Sequence, residues 1–236
     1  RSYGHLGNLF QLLGQYEKAR EHQEKALAIR IEIDERHGEA ISYGNLGALF
    51  HLLGQYDKAR EYQEKAFAIT IKIGNRNGEA ISYEKVGNFF KSLGQYDKAQ
   101  EYQEKALAIK TEIGDKNGEA ISYGNLGALF QSLAQYDKAQ EYQEKALAIT
   151  IQIGDRSGEA RSYGHLATLF HSLGQYDKAR KYQEKALAIT IQIGDSHGEA
   201  ITYRNLGILF RSLGQYDKAR EYQEKALAIT IEVGAR

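Results

Sequence analysis

Cysteine, proline, methionine and tryptophan are all missing from the 236 residues. Without cysteine there is no disulfide framework, no thiolate nucleophile and no cysteine-based zinc site. Without proline, no kinked or extended linker divides the chain into separate domains. An excess of charge is missing too: 31 basic and 31 acidic side chains cancel, which argues against the broad electrostatic attraction that drives most nucleic-acid binding. No apolar run reaches the length of a membrane span, and no Asn-x-Ser/Thr acceptor for glycosylation occurs. The expectation is a cytoplasmic protein with neither nucleic acid nor membrane as partner. The chain begins at Arg1 and stops at Arg236 where a further copy of its repeat would start, so it reads as a segment of a longer protein.

What the sequence has in abundance is itself. Ser/Thr-Tyr recurs at Tyr3, Tyr43, Tyr83, Tyr123, Tyr163 and Tyr203, and the surrounding words recur with it, so a 40-residue unit is written six times. The copies run 1–38, 39–78, 79–118, 119–158, 159–198 and 199–236 as a single array. A unit this short cannot bury its own apolar face, and neighbouring copies must stack to share a core.

Within the second copy, Ile41, Tyr43, Leu46, Leu49, Phe50 and Leu53 recur at three- and four-residue intervals, the spacing of an amphipathic helix, here helix A. Gly54 stops it. A second run, helix B, starts near Tyr56 and Asp57 and continues through Ala59, Tyr62, Ala66, Ile69 and Ile73. Between copies, Gly114-Asp115, Gly154-Asp155 and Gly194-Asp195 read as a helix stop followed at once by an N-cap. Such short links force antiparallel neighbours. At the first junction Asp34 and Glu35 replace that pair; aspartate tolerates the left-handed conformation, so a weaker cap is expected there and not a break. The repeated charges of helix B, such as Glu61 and Lys65, suit a solvated outer face with ion pairs of about 0.3–0.5 kcal/mol.

An aromatic at Tyr43, Leu46-Gly47, Phe50, Ala59 and Ala66, repeated along the whole chain, resembles the tetratricopeptide repeat family. The longer unit, with Gly154 to Ala160 and Asn45-Leu46-Gly47, resembles the repeats of the Pins/LGN group of G-protein signalling modulators. The resemblance implies an all-α fold, a right-handed superhelical α-solenoid of six antiparallel helix pairs. It also implies a cytoplasmic signalling scaffold whose repeats hold extended peptide segments. Two features depart from the pattern. The second Asn after Asn-Leu-Gly is replaced at Ala48, Ala128, Thr168 and Ile208, and the closing proline is absent.

Positions required for stacking should repeat, whereas positions used for recognition are free to vary. The variation falls on helix A: His5, Asn45, Lys85, Asn125, His165 and Asn205; Asn8, Ala48, Asn88, Ala128, Thr168 and Ile208; Gln11, His51, Lys91, Gln131, His171 and Arg211. Steps of three and four put these on one stripe, which the resemblance assigns to the concave surface. Arg1, Lys85, Lys91, Arg161, Arg204 and Arg211 face only Glu84 there, and the stripe is expected to be electropositive. The candidate peptide-binding residues are His5, Asn8, Asn45, Lys85, Asn88, Asn125, Arg161, His165, Arg204 and Asn205. The expected partner is an acidic peptide or a free C-terminal carboxylate, with asparagine amides serving an extended backbone. Glycines at 44, 124 and 164 suggest room made for something close to the helix.

Chaperone-binding members of the family grip a terminal carboxylate with a clamp of Lys, Asn, Asn, Lys and Arg. By resemblance Asn88, Asn125, Arg161 and His165 match four of those places. Glu84 stands at the first and would repel a carboxylate. Asn8, Asn45 and Lys85 form a second partial match. No histidine pair has metal-ligand spacing and no glycine-rich phosphate loop occurs, so no catalytic residue, metal or cofactor is expected. The alternative to a peptide groove is a structural spacer that self-stacks end to end, since the face near Leu227, Ile229 and Ile231 has no following repeat to cover it. Irregularities such as Glu84-Lys85-Val86 and Ala167-Thr168 argue against a consensus design.

Overall fold

The computed structural model describes residues 2–234. Its regular structure there is entirely helical: α1 (Ser2–Leu12), α2 (Tyr16–Glu32), α3 (Arg36–Leu52), α4 (Tyr56–Ile73), α5 (Arg76–Ser92), α6 (Tyr96–Glu112), α7 (Lys116–Ser132), α8 (Tyr136–Gln152), α9 (Arg156–Ser172), α10 (Tyr176–Ile193), α11 (Ser196–Ser212) and α12 (Tyr216–Gly234). Odd-numbered elements are the A helices and even-numbered ones the B helices. The chain divides between Ile109 and Lys110 into two compact units. In the first, α1 packs on α2, α2 on α3, α3 on α4 and α4 on α5; in the second, each helix from α7 to α12 packs on its successor.

Both connections within a repeat are one tight turn. Leaving an A helix, Gly54 adopts φ +71° and its N–H bonds the His51 carbonyl, while Gln55 N–H bonds Phe50. Leaving a B helix, Gly74 and Gly194 do the same with φ near +70°. Asp34 takes the left-handed conformation in the first repeat, with φ +54°. Glu35 then caps α3, its Oε1 accepting from Gly38 N–H at 2.8 Å, so the first junction keeps its cap as expected. Asn75, Asp115, Asp155 and Asp195 cap the later A helices in the same way, each contributing about 1 kcal/mol. The glycine that donates to the cap is held by contact: a Cβ at Gly158 would collide with the carboxylate of Asp155.

The core of each pair comes from the helix A leucines and phenylalanine against the helix B alanines. Leu46, Leu49, Phe50 and Ala59 are buried in the first unit; in the second, Leu166, Phe170, Ala179, Leu206, Leu209 and Phe210 form one cluster. Small residues at Ala59 and Ala179 let the helices approach closely, and truncating one of the fully buried leucines to alanine would cost about 2–5 kcal/mol. The tyrosines sit between the helices, Tyr62 against both Tyr43 and Phe50. Helix B lysines do more than the solvated face requires: Lys65 pairs with Glu61 at 2.6 Å and also lies 5.3 Å over the Tyr62 ring. The ammonium thus covers the edge of the aromatic layer.

Candidate functional site

The floor beneath the variable stripe is a series of helix B glutamines, buried except for the half-buried Gln63. Gln23, Gln63, Gln103 and Gln143 donate from Nε2 to the helix A carbonyls of Gly4, Gly44, Glu84 and Gly124 at 3.1–3.2 Å. The approach needs glycine on helix A: a Cβ at Gly47 or Gly127 would come within 2.8 Å of the glutamine side chain. The glycine shared by these four repeats, at Gly7, Gly47, Gly87 and Gly127, is therefore a packing requirement that sequence spacing alone did not expose.

These glutamines also engage part of the predicted stripe. Asn8 Oδ1 accepts from Gln23 at 2.6 Å and Asn88 Oδ1 from Gln103 at 3.0 Å. Asn45 donates to Gln23 Oε1 at 3.4 Å, and His165 Nδ1 lies 3.3 Å from Gln143 Oε1. Of the asparagines expected to serve a peptide backbone, Asn45 has one end of its amide tied to the scaffold, as do Asn8 and Asn88. Further along the stripe, His51, Gln131 and His171 bond Ser92, Ser172 and Ser212 of the next A helix. These three positions vary in sequence yet hold repeats together, a correction to the rule that variation marks recognition.

In the first unit His5, Asn8, Lys85 and Asn88 are exposed and Asn45 is half-buried. Lys85 lines a cavity of about 130 Å³ with Ile41, Ile81 and Gln63. In the second unit Asn125, Arg161 and His165 line one cavity of about 60 Å³, and Arg161, His165 and Asn205 line another of about 460 Å³. Arg204 is exposed beside them, its backbone carbonyl accepting from Gln223 at 3.3 Å. A Cβ at Gly44 or Gly164 would meet nothing within 4 Å, so neither glycine is required by the protein's own packing; at Gly124 it would only touch His165 at 3.9 Å. Of the expected cations, Arg1 lies outside the described residues, and burial pulls the Lys91 ammonium below the ordinary lysine value.

Two features of this face escaped the sequence reading. Ile41, Ile81 and Ile121, assigned to helix periodicity, are about 40% exposed and line the cavities; Arg161 stands in the same place in the fifth repeat. The acidic residue of the first turn, read as a partner of the helix dipole, also forms an ion pair three residues apart with Arg36, Arg76, Lys116 or Arg156. The spacing was the available signal.

The tetratricopeptide repeat model matches residues 1–72, 78–152 and 158–232. The chain belongs to the tetratricopeptide repeat family. A search of the curated proteins finds no match. Among solved structures, BtubC (BKLC) from P. vanneervenii is 21% identical with a TM-score of 0.78, the match covering 94% of this chain and 93% of that one. A signal transduction ATPase with a tetratricopeptide repeat sensor from Pyrococcus horikoshii is 21% identical with a TM-score of 0.75, over 96% of this chain and 35% of that one. Aspartyl phosphate phosphatase F from Bacillus subtilis is 17% identical with a TM-score of 0.73, over 97% and 69%. At these identities the likeness is one of fold, a tetratricopeptide solenoid. The tetratricopeptide family is generally a non-catalytic protein-interaction scaffold binding proteins or peptides. Among the described residues no group of His, Asp or Glu could hold a metal ion, and no helix is long and apolar enough to cross a membrane.

Proposed function

We propose that this scaffold is non-enzymatic and binds an extended acidic peptide along the A helices. The observation that carries the reading is the coincidence, on places one helical turn apart in the repeat, of exposed cations with cavities between consecutive A helices: Lys85 in the first unit and Arg161 in the second. Bare glycine surface at Gly44 and Gly164 adds room for a backbone. Partner side chains would enter the cavities between neighbouring repeats, and carboxylates would meet the cations at their rims. The reading includes the likeness to the Pins/LGN repeats carried by Asn45-Leu46-Gly47. A cytoplasmic site of action goes with it.

Fluorescence anisotropy of labelled acidic peptides tests this assignment. Replacing both Lys85 and Arg161 by alanine is expected to weaken binding about tenfold or more, the scale of two charge-assisted contacts; unchanged affinity rejects the face. End-to-end self-association is the second reading. Leu227 favours it, being 59% exposed where Leu147 and Leu187 are half-buried. Ile231 does not, because its counterparts Ile31, Ile71, Ile151 and Ile191 are exposed as well. Sedimentation over a wide concentration range would show association if Leu227 mediates it and a constant monomer if it does not.

A further inference from the structure

The fifth repeat breaks the glutamine series in a way that builds a polar cavity. Where Gly127 admits Gln143 to the helix A carbonyl, the fifth repeat has Ala167, whose methyl occupies the seat a Cβ at Gly127 would take 2.6 Å from the glutamine Nε2. The next residue, Thr168, donates its hydroxyl to the Gly164 carbonyl at 3.0 Å, taking over the acceptor the glutamine would have used. Gln183 is thereby displaced from both sides. As a residue it is 3% exposed, but its amide atoms are not among the fully buried ones left without a partner, which in the described residues are His22 Nδ1 and Gln103 Oε1. An amide that reaches a cavity is available to donate to, or accept from, whatever fills it. Gln183 lines the 460 Å³ cavity between α9, α10 and α11, with Thr168 and Asn205 on the same wall.

The cavity is also lined by a cation. Arg161, like Arg1 in the first copy, stands where the other four have Ile41, Ile81, Ile121 and Ile201. It is exposed, and no carboxylate pairs with it among the described residues. The one acidic residue on the cavity wall, Asp195, is engaged by Gly198 N–H at 2.9 Å. A guanidinium at the rim and neutral donors from Gln183 and Asn205 within are a set of partners for one carboxylate.

Arg161 lies between two cavities, which suits a side chain of a peptide that continues past it on both sides. Arg161 and His165 line both this cavity and the smaller one between α7, α8 and α9. A peptide crossing α9 fills both cavities, whereas one ending at Arg161 fills a single cavity. We propose that the cavity between α9, α10 and α11 receives the side chain of an internal glutamate from a peptide crossing α9, with Arg161 as countercharge and Gln183 as hydrogen-bond donor. The proposal rests on the peptide-groove reading and fixes the register of the ligand on it.

The test uses the whole chain and peptides selected on it from a randomised display library, each made again with its glutamate changed to glutamine and, separately, with an amidated C-terminus. Two variants restore the ordinary repeat wording: Arg161→Ile, and Ala167→Gly combined with Thr168→Ala, which returns Gln183 to the Gly164 carbonyl. For wild type, the Glu→Gln peptide is expected to bind about tenfold more weakly or worse, and amidation to change little. In Arg161→Ile the two peptides should bind alike, and the double variant should weaken the glutamate peptide selectively. Circular dichroism melting confirms that both variants fold. Selected peptides without an internal acidic residue, or dependent on a free C-terminus, overturn the proposal. So does discrimination that survives Arg161→Ile. If such peptides still lose affinity when Lys85 and Asn45 are replaced by alanine, the groove reading stands and this register falls. If no peptide is selected, both fall.

Discussion

At the scale of single residues, two positions run against the repeat and carry measurable strain. Ala134 closes the fourth A helix with φ +55°, in the turn that Gly14, Gly54, Gly94, Gly174 and Gly214 make in the other copies. A β-carbon in this left-handed conformation crowds the backbone by about 1–2 kcal/mol. Ala134→Gly should therefore raise the unfolding free energy by about 1 kcal/mol, less than the full strain because glycine also gains freedom when unfolded; chemical denaturation measures it. His22 is the second case. It holds the slot of Tyr62, stacked on Phe10 and tilted against Tyr3, but its Nδ1 is buried with no hydrogen-bond partner. In His22→Tyr the phenol would present only ring carbon at that point, and Lys25 could cover it as Lys65 covers Tyr62 at 5.3 Å. The expected gain is again about 1 kcal/mol, and no change in denaturation midpoint would show that His22 Nδ1 carries no penalty.

At the scale of elements, the junction between α6 and α7 stakes a cap on an ion pair. Asp115 accepts from Lys110 Nζ at 2.8 Å and from Gly118 N–H at 2.9 Å. Lys110, chiefly, and then the backbone N–H hold its carboxyl below the ordinary aspartate value. Because the folded pKa is the lower one, the pair's contribution is complete above the unfolded value near about 4 and is lost as pH falls through the folded value. Asp115→Asn keeps the acceptor for Gly118 and removes the charge opposite the nearly buried lysine, at a cost of about 1–2 kcal/mol, moderated by the partial exposure of Asp115. That deficit should be constant above about pH 5 and shrink in acid as the wild type loses the same interaction. A deficit that persists unchanged in acid would mean the amide fails as a cap. Caps and glycine stops of this kind were readable from the sequence because they are local: the residue and the backbone it serves lie within one turn. The glutamine series was not. Gln143 meets the Gly124 carbonyl nineteen residues away, and nothing in a mid-helix glutamine distinguishes a floor residue from a solvated one. For the same reason variation alone overstated the binding stripe: His51 and His171 differ from Lys91 in sequence, but their serine partners lie on the neighbouring helix.

At the scale of the molecule, helix pairs that pack on their sequence neighbours make stability close to a sum over adjacent repeats. The second compact unit contains three complete helix pairs with a core running from Leu126 through Leu166 and Leu206, about the minimum for a stable repeat array. It also contains both cavities that Arg161 lines. A fragment of residues 116–236 is accordingly expected to fold alone, with one cooperative denaturant transition and an m-value about half that of the whole chain, since m follows the surface exposed on unfolding. Its midpoint reports the stability of the second unit by itself. The two measurements separate distinct failures. A fragment that never folds would show that the second unit does not carry an independent core. One that folds but binds the selected glutamate peptides far more weakly than the whole chain would show that recognition draws on the first unit, where Lys85 and Asn45 are the residues to replace next.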